Sequence, residues 1–407
     1  MKLSTIAMTF ALALACSVET SAQTSVYDLN KPVGFGKNIT GSSDKNPVRV
    51  TTLDELKNAL KKNDSSQKTV YIEGTIEVDQ QVTFDGLKNK TIYGLPGSKL
   101  VNPSDPKKTK RSGIMALKNC DNVILRNLTF EGAGAYDMDG DDNFYLQKST
   151  NIWVDHCDFQ DGTDGNFDCS KASDNVCVTW ARFHYLKKPI AGGSGGSDDH
   201  RYSDLWGGSD SETESKGKLN TTFMACWWDA GCRERMPRVR FGKVHLLNCL
   251  YSCKGNNKCV DAGYLSNIYL DRCAFIDVKK PWVNDGAKSK KVYNITVTGC
   301  IGTNDTQSRG GSEDYFKPAD YYTLDGFDVD LVQNEVSQYA GATLNVVYGQ
   351  GNTTGIGIAD NHASAYTVDT EYFSPSGTKL AHPQKGMNII RHRMSDGTVR
   401  TTKVMVR

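Results

Sequence analysis

The chain has 407 residues, of which 23% are charged, and a formal net charge of +1. This balance excludes wholesale binding to nucleic acid or to an anionic membrane surface, so an anionic partner would need a local cationic site. A chain of this length suggests two or three domains unless it is built from repeats. No stretch after the N-terminus approaches the roughly 18 apolar residues of a membrane-spanning segment.

Residues 1–22 have the pattern of an export signal. Lys2 gives a charged start, Ile6 to Ala15 is an apolar run, and Thr20-Ser21-Ala22 supplies small residues for cleavage. Cys16 leaves lipid attachment open as the alternative, although the residues before it fit a lipid-attachment box poorly. We therefore expect an exported protein.

Leu53 to Leu60 is the first predicted element of the mature chain, a short amphipathic helix. Thr52 or Asp54 lies near its start and would act as the N-cap. Because this helix precedes the repeats of the central region, we expect it to cover the open N-terminal end of their core.

A nine-residue pattern recurs through the middle of the chain: asparagine, apolar, any, apolar, two variable positions, small or cysteine, any, aromatic. The copies begin at Asn122, Asn151, Asn175, Asn220, Lys243, Asn267 and Asn294. They are 23 to 29 residues apart, except for a spacing of 45 between Asn175 and Asn220. That longer spacing is close to two coils and predicts a degenerate coil around Leu205-Trp206.

Each copy is typical of a short strand whose alternate residues point inward. One copy cannot bury its apolar face alone, whereas stacked copies bury a continuous core. The repeat therefore predicts an all-β fold, a right-handed parallel β-helix. A leucine-rich repeat would need a leucine and asparagine consensus that these copies lack.

Cysteine is common at the seventh position of the pattern. That column contains Leu128, Cys157, Ala181, Cys226, Cys249, Cys273 and Cys300. We interpret these side chains as small apolar fillers of the core, with metal binding or redox chemistry as the alternative. Removal of the export signal takes Cys16 with it and leaves eleven of the twelve cysteines, so at least one thiol stays unpaired. The best candidate for a disulfide is Cys253 with Cys259.

Acidic residues occur on two successive predicted coils. The aspartates are Asp137, Asp139, Asp141 and Asp142 before one strand, and Asp164 and Asp168 one coil later. Carboxylates that converge from adjacent coils make an oxygen-only site, which suits calcium. A solvated acidic loop is the alternative.

Basic residues follow at the same coil spacing. They are Lys187, Lys188, Arg233, Arg235, Arg238 and Arg240. Acidic and basic clusters that alternate at one coil spacing would lie side by side on one face. Such a face would bind a polyanion through a bridging cation. The alternative is a solvated charged face, which is what a run of charges often forms. The insertion from Pro189 to Asp204, which contains two Gly-Gly pairs, is predicted to form a flexible wall of this cleft.

Three stretches make the chain resemble the pectate lyase family of polysaccharide lyases. Asn151 to His156 matches the family's tryptophan-containing motif. Asp164 to Asp168, followed by Ser173 to Val178, matches the second motif, and Arg235 to His245 matches its RxPxxR motif. The resemblance runs from about residue 30 to 345, and the motifs occur in order on a repeat that agrees with the fold.

The resemblance implies a calcium-dependent enzyme. Asp142, Asp164 and Asp168 take the positions of the family's Ca²⁺ ligands. A further acidic position of the family is Gly140 here, which leaves a second calcium ion open. A downstream family arginine falls near Gly263, so part of the substrate contacts must differ.

The resemblance also implies roles for residues outside the acidic cluster. Arg235 takes the position of the catalytic base, and Lys188 and Arg240 take substrate-binding positions. Asp155 and His156 look catalytic in isolation, but we interpret them as structural, because the family's chemistry does not use them directly.

The implied reaction is β-elimination across C4–C5 of α-1,4-linked polygalacturonate, which yields 4,5-unsaturated oligogalacturonides and degrades pectin. Calcium and Lys188 would neutralise the carboxylate beside C5 and stabilise the enolate-like charge, while Arg235 removes the C5 proton. A guanidinium is ordinarily always protonated. Nearby positive charges would therefore have to favour the neutral form of Arg235. Because a general base must be deprotonated and higher pH favours that form, we predict an alkaline pH optimum.

Three other functions are alternatives to this one. A metal-independent pectin lyase is disfavoured by Asp142, Asp164 and Asp168. A glycoside hydrolase would need two carboxylates free to flank the bond as acid and base. A non-catalytic pectin-binding β-helix is the alternative from another functional class, since fold alone does not set function.

The C-terminal part of the chain changes character. Residues 305–365 are predicted to be loops packed along the coils. Residues 366–407 combine turn signals, at Ser374 to Gly377 and at Asp396-Gly397, with short apolar runs, which predicts a small β appendage. That appendage resembles sorting modules of some Gram-negative bacteria, with a capping hairpin as the alternative.

The predicted organisation is a signal at 1–22, a β-helix domain at 23–365 and a C-terminal module at 366–407. We expect a monomer that is extracellular or on the outer-membrane surface of a Gram-negative bacterium, with the periplasm as the alternative location.

Overall fold

The computed structural model describes residues 31–287, 292–311, 314–349, 367–394 and 399–406. The chain divides into two compact units between Ala365 and Tyr366. The predicted export signal lies outside the described residues. Within these residues, no helix combines the length and the apolar character that crossing a membrane requires.

Three sheets, which we number 1 to 3, wrap around the core of the larger unit. Sheet 1 contains Val48–Val50, Lys68–Ile72, Lys88–Gly94, Asp121–Arg126, Thr150–Asp155, Asp174–Thr179, Thr221–Met224, Lys243–Leu247, Asn267–Asp271, Tyr293–Thr298 and Thr306–Gly310. Sheet 2 contains Val82–Asp85, Met115–Lys118, Phe144–Gln147, Phe167–Ser170, Leu205–Trp206, Arg238–Val239, Val260–Ala262 and Trp282–Val283. Sheet 3 contains Thr75–Glu77, Lys99–Val101, Thr129–Glu131, Asp158–Gln160, Arg182–His184, Trp227–Trp228, Leu250–Tyr251 and Ala274–Phe275.

The three sheets confirm the predicted right-handed parallel β-helix. Each full coil contributes one strand to each sheet, and neighbouring coils pair in parallel and in register. The exception is the last strand of sheet 1, Thr306–Gly310, which pairs antiparallel with Tyr293–Thr298. The alternate apolar residues of the repeats, such as Ile152 and Val154, are fully buried in one continuous core.

The predicted degenerate coil around Leu205-Trp206 is wrong. Asp174–Thr179 pairs directly with Thr221–Met224, so no coil lies between the copies that begin at Asn175 and Asn220. Leu205–Trp206 is instead the strand that this same coil contributes to sheet 2, where Trp206 lies opposite Cys169. The extra sequence length is in loops between strands and leaves the stacking unchanged.

The asparagines that start the first three copies have an unusual backbone conformation. Asn122, Asn151 and Asn175 have φ values of 56°, 54° and 52°, in the left-handed region that asparagine tolerates better than most residues. The side-chain Nδ2 of Asn175 also donates to Asn151 Oδ1 at 3.2 Å. In these three copies the asparagine is therefore explained by its backbone conformation and by hydrogen bonding between coils.

The aromatic residues that end the copies form a stack through the core. Consecutive ring centroids are 4.9, 5.3, 5.2, 4.8 and 4.4 Å apart along Phe130, Phe159, Phe183, Trp228, Tyr251 and Phe275. These separations follow from the strand spacing of about 4.8 Å, which holds identical positions of successive coils above one another. The stack therefore ties each coil to the next.

The cysteines of the seventh position are buried fillers, as predicted. Cys157, Cys226, Cys249 and Cys273 have no exposed surface. The thiol of Cys226 donates to Val178 O at 3.4 Å, which satisfies it within the stack. The predicted disulfide is wrong, because Cys253 and Cys259 are both free thiols in the core.

The predicted capping helix is confirmed over Leu53–Ala59. Thr52 Oγ1 accepts a hydrogen bond from the Glu55 amide at 3.2 Å, and Glu55 Oε2 accepts one from the Thr52 amide at 3.2 Å. This capping box fixes the start of the helix. Leu56 has no exposed surface and belongs to the core cluster, so the helix covers the end of the stack as expected.

A second helix, Val329–Tyr339, replaces part of the loop region predicted for 305–365. Asp328 is its N-cap and accepts from the Asp330 amide at 3.1 Å. Val332 and Val336 are fully buried at a spacing of four residues. The prediction of loops is wrong for this stretch, and the N-cap with its apolar spacing is the signal that could have identified the helix.

The smaller unit contains a four-stranded antiparallel sheet, as predicted for an all-β appendage. Its order is Lys379–Leu380, Thr367–Phe373, Gly386–Met394 and Val399–Val406. The first predicted turn forms at Ser374, whose carbonyl accepts from the Gly377 amide at 2.9 Å. The second, Asp396-Gly397, lies outside the described residues. A sorting role for this unit stays a prediction.

Replacement of Leu56 by alanine should destabilise the N-terminal end of the stack. Loss of a fully buried leucine typically lowers the free energy of unfolding by about 2–5 kcal/mol. Urea unfolding of the Leu56→Ala variant measures the change, and Lys57→Ala, at an exposed position of the same helix, is the matched control. Equal unfolding midpoints for the two variants would show that the helix does not cap the core.

Candidate functional site

Sheet 2 carries the charged residues predicted for the cleft. In the strand Phe167–Ser170, Phe167 and Cys169 are buried in the core, so Asp168 between them lies on the outer face. Trp206 pairs with both Cys169 and Val239. The residue two coils after Asp168 on this outer face is therefore Arg238.

Asp142 and Asp168 come together beside Gly165. The position that a Cβ atom would take on Gly165 is 2.8 Å from Asp142 Oδ1, 3.0 Å from Asp168 Oδ1 and 3.2 Å from the carbonyl oxygen of Ser203. Three oxygens from three separate segments thus line one small space. Any residue larger than glycine at 165 would fill it.

The two carboxyl groups of this space resist ionisation. Burial, followed by repulsion from Asp168 and Asp164, raises the pKa of Asp142 well above its ordinary value. Burial and repulsion from Asp164 raise the pKa of Asp168 to about 8. The charge of Arg235 opposes both shifts, which places it within electrostatic reach of both carboxyls. Additional positive charge at this site would oppose both shifts.

These residues fit a hard divalent cation. Asp142 Oδ1 is buried and has no hydrogen-bond partner in the described part of the chain. Oxygen-only ligands with carboxylate charge are those that calcium prefers. Across the ranges that the structure describes, however, no three His, Cys, Asp or Glu side chains are close enough together to hold an ion.

Asp164 is the predicted ligand that stands apart. Its Oδ1 lies 2.9 Å from His200 Nε2, so this carboxylate is bonded to a residue of the 189–204 insertion. The structure therefore brings Asp142 and Asp168 together directly and leaves Asp164 one residue away along the chain, beside Gly165.

Arg235 lies within electrostatic reach of the acidic cluster. Its backbone has φ of 57°, and its carbonyl accepts from the Asp204 amide at 2.7 Å. The guanidinium carbon is 5.0 Å from the centre of the Tyr202 ring, over which it stacks. Arg235 is half-buried and is held by its backbone and by an aromatic face, and its charge partly opposes the raised pKa values of Asp142 and Asp168.

The two predicted substrate-binding residues differ in their surroundings. Arg240 is buried, with Nε 2.8 Å from Asp210 Oδ1 and a second nitrogen donating to Gly207 O at 2.8 Å. Lys188 is exposed, and among the described residues no ion pair involves it. Two residues later, Ile190 bridges to Tyr136, next to the acidic stretch. Arg240 is thus fixed, whereas the Lys188 side chain extends into solvent.

Asp155 and His156 lie in a buried network on sheet 1, away from the outer face of sheet 2. Asp155 Oδ2 is 2.5 Å from Arg126 Nε and 2.8 Å from His156 Nδ1, and Asp155 Oδ1 accepts from the Thr179 hydroxyl. Trp153 donates to the same threonine at 2.9 Å. The tryptophan-containing motif is thereby accounted for by packing and hydrogen bonding between coils.

His200 and Tyr202 are the site residues that sequence reasoning missed. Both come from the insertion. Its Gly-Gly pairs predicted a flexible wall of the cleft, but its single histidine was given no role. Their contacts with Asp164 and Arg235 depend on how the loop folds back, which no local sequence pattern specifies.

The family model and the relatives that match this chain all point to the same family. A family model described as pectate lyase matches residues 1–345. Pectate trisaccharide-lyase of Thermotoga maritima is 30% identical over 240 residues, which are 55% of this chain and 58% of that protein. Pectate lyase E of Dickeya chrysanthemi is 30% identical over 264 residues, 58% of this chain and 64% of that protein. The chain thus spans about three fifths of the length of these two relatives.

Solved structures agree in fold. A pectate lyase bound to a hexasaccharide has a TM-score of 0.59 and 22% identity, with coverage of 79% of this chain and 99% of that chain. A variant of Bacillus subtilis pectate lyase has a TM-score of 0.58 and 20% identity, with the same coverage. At these identities the likeness establishes the parallel β-helix.

Removal of the Asp155 side chain should affect stability far more than chemistry. Asp155→Ala leaves Arg126 buried without its carboxylate, which typically costs about 3–5 kcal/mol of unfolding free energy. Burial alone would raise the pKa of Asp155, but interactions with His156 and Arg126 outweigh it and hold the pKa below its ordinary value. The stabilisation is therefore present above the unfolded-state pKa of about 3.9 and is lost as pH falls through the lower folded-state value.

Denaturant unfolding at pH 7 and at decreasing pH measures this effect, with Asp79→Ala at an exposed position as the control. A variant that keeps full stability but loses all turnover would assign Asp155 to the chemistry instead.

Proposed function

We propose that this chain, which belongs to the pectate lyase family, cleaves polygalacturonate by calcium-dependent β-elimination with Arg235 as the base. The observation that carries the proposal is the meeting of Asp142 and Asp168 oxygens beside Gly165, within electrostatic reach of Arg235. The names of the relatives, all pectate lyases, support the same substrate class.

Asp142 and Asp168 would hold the calcium ion, with Asp164 as the third predicted ligand. The ion would supply positive charge to the galacturonate carboxylate and so favour loss of the neighbouring proton. The raised pKa values of Asp142 and Asp168 support this role, because a bound cation would offset the burial and mutual repulsion of these carboxyls.

Arg235, Lys188 and Arg240 would act on the sugar chain itself. Arg235 would take the proton from C5, and the C4–O bond would break to give the 4,5-unsaturated product. Arg240 is fixed by Asp210 and Gly207, so it offers a preorganised positive charge to a substrate carboxylate. Lys188 has an exposed side chain that can follow a second carboxylate.

Phe241, the residue after Arg240, lines a cavity with a volume of about 430 Å³. Lys216, Lys243, Tyr264 and Asp314 also line it, so the cavity contains both basic and acidic groups. Its lysines and aromatic rings favour contact with an anionic sugar chain, whereas Asp314 opposes it.

Two related functions make different predictions. A metal-independent pectin lyase would not use the carboxylates of Asp142 and Asp168 to bind a cation. A non-catalytic pectin-binding protein would not need Arg235 as a base for the proton on C5.

We further propose that the protein is an exported monomer, with the domain boundaries at 22/23 and 365/366 predicted from the sequence.

Incubation with polygalacturonate should produce ultraviolet absorbance from the new C=C bond, at a rate that is greatest above neutral pH. A chelator should abolish the signal, and added calcium should restore it. Absence of signal with calcium present would indicate a binding protein. Signal that survives chelation and is greater on methyl-esterified pectin would indicate a pectin lyase.

Arg235→Lys should reduce turnover by about 10²–10⁴-fold, the usual contribution of a positioned general base. The matched control is Arg233→Lys in the same segment, since Arg233 contacts Gly255, Asn257 and Asp199, and none of its described contacts is with Asp142, Asp164 or Asp168. Steady-state rates and circular dichroism of both variants separate chemistry from folding. Retained turnover in a folded Arg235→Lys protein would remove Arg235 from the base role.

A further inference from the structure

The insertion at 189–204 spans the two sides of the candidate site. Near its start, Ile190 forms a parallel bridge with Tyr136, just before the acidic stretch. Near its end, Tyr202 forms a parallel bridge with Glu234, just before Arg235. The loop is therefore tied at one end to the coil of Asp142 and at the other to the coil of Arg235.

Asp137 anchors the middle of the loop. Its Oδ2 accepts from the Ser197 amide at 2.7 Å, and its backbone carbonyl accepts from the Gly195 amide at 2.8 Å. A Cβ atom on Gly195 would overlap the Asp137 carboxylate, so this close approach requires glycine. One of the aspartates predicted from the sequence cluster thus holds the loop and is unavailable to a cation.

His200 connects this anchor to a predicted metal ligand. It is 4% exposed, and Nε2 lies 2.9 Å from Asp164 Oδ1 while Nδ1 lies 3.1 Å from Asp137 Oδ1. The imidazole is thus held between two carboxylates. Asp164 sits on the rim of the acidic site, and its orientation is set by this contact.

Tyr202 connects the same loop to the predicted base. Its ring centre is 4.2 Å from that of His200, and the Arg235 guanidinium stacks on it at 5.0 Å. The Tyr202 carbonyl accepts from the Tyr185 hydroxyl at 2.5 Å, which fixes the backbone beneath the ring. A guanidinium on an aromatic face gains roughly 0.5–2 kcal/mol, enough to favour one side-chain position.

We propose that the 189–204 insertion is a positioning element for the active site, in which His200 orients Asp164 toward the cation and Tyr202 holds Arg235 at the acidic cluster. This inference rests on the proposed function and deepens it. The two residues act through Asp164 and Arg235, so neither needs to touch the substrate.

The loop contains a second set of contacts, and a variant in these contacts tests the effect of loop stability apart from the positioning of Asp164 and Arg235. Asp199 pairs with Arg201 at 2.6 Å and with Arg233 at 3.3 Å, and it contacts neither Asp164 nor Arg235. Asp199→Asn therefore weakens the attachment of the loop without removing either positioning contact. It is the matched control for both tests.

Calorimetric titration of the purified full chain with CaCl₂ tests His200. His200→Phe keeps a ring against Tyr202 but removes the contact to Asp164. Partners that orient a metal-binding carboxylate or imidazole typically contribute 10–100-fold to metal affinity, so we expect calcium binding weaker by about that factor. His200→Gln, which restores an N–H donor, should recover part of the loss, and Asp199→Asn should bind like the wild type.

Steady-state kinetics on polygalacturonate test Tyr202. Tyr202→Leu removes the aromatic face, and a misplaced base should lower kcat by up to about 10²-fold while calcium affinity stays unchanged. Tyr202→Phe keeps the face and should retain kcat. Wild-type kcat in the leucine variant, or equal losses in both variants, would refute this half of the proposal.

The calcium titration also distinguishes failure of this inference from failure of the proposed function. If the wild type binds calcium and His200→Phe binds it equally well or more tightly, the positioning role of His200 is refuted and the proposed function stands. If the wild type binds no calcium, the positioning role of His200 and the calcium-dependent function are both refuted, since there would be no metal ligand to orient.

Discussion

The site depends on the in-register stacking of parallel coils. Strands about 4.8 Å apart place the same position of each coil directly above the last, so residues far apart in sequence become neighbours. Asp168 and Arg238 are 70 positions apart in number, yet they lie two coils apart on one outer face of sheet 2. The aromatic stack and the buried cysteines hold that register from inside, while the charged groups occupy the outside. Chemistry on the surface is thus positioned by packing in the core.

Burial stabilises the apolar core, but in the acidic cluster it opposes the charged forms of the side chains. Asp142 and Asp168 are held where burial and mutual repulsion oppose their charge, and Arg235 relieves this only in part. A divalent cation bound between these carboxyls would favour their charged forms. The Arg235 guanidinium is held on the Tyr202 ring, within electrostatic reach of both groups.

The repeat made the fold predictable from sequence, because the alternation of apolar residues and the turn asparagines are local patterns. Asp142, Asp168 and Arg235 could likewise be associated, since coil spacing and family motifs place them together. The degenerate coil failed because a spacing of 45 residues does not distinguish an extra coil from a long loop, and only the direct pairing of Val176 with Thr221 settles it. His200 and Tyr202 were beyond reach for a related reason: their partners are set by the path of an irregular loop, and the sequence has no periodicity there to read.

The coil that contains the insertion is almost twice as long as the one after it, yet the strands on either side of it pair without displacement. Backbone inserted between strands therefore accumulates outside the solenoid and leaves its register intact. A protein of this architecture can exchange one wall of its cleft as a separate part, and with it the range of sugar chains that fit, while the hydrophobic interior stays as it was. Diversification of such a scaffold would be expected in its loops long before it reaches its strands.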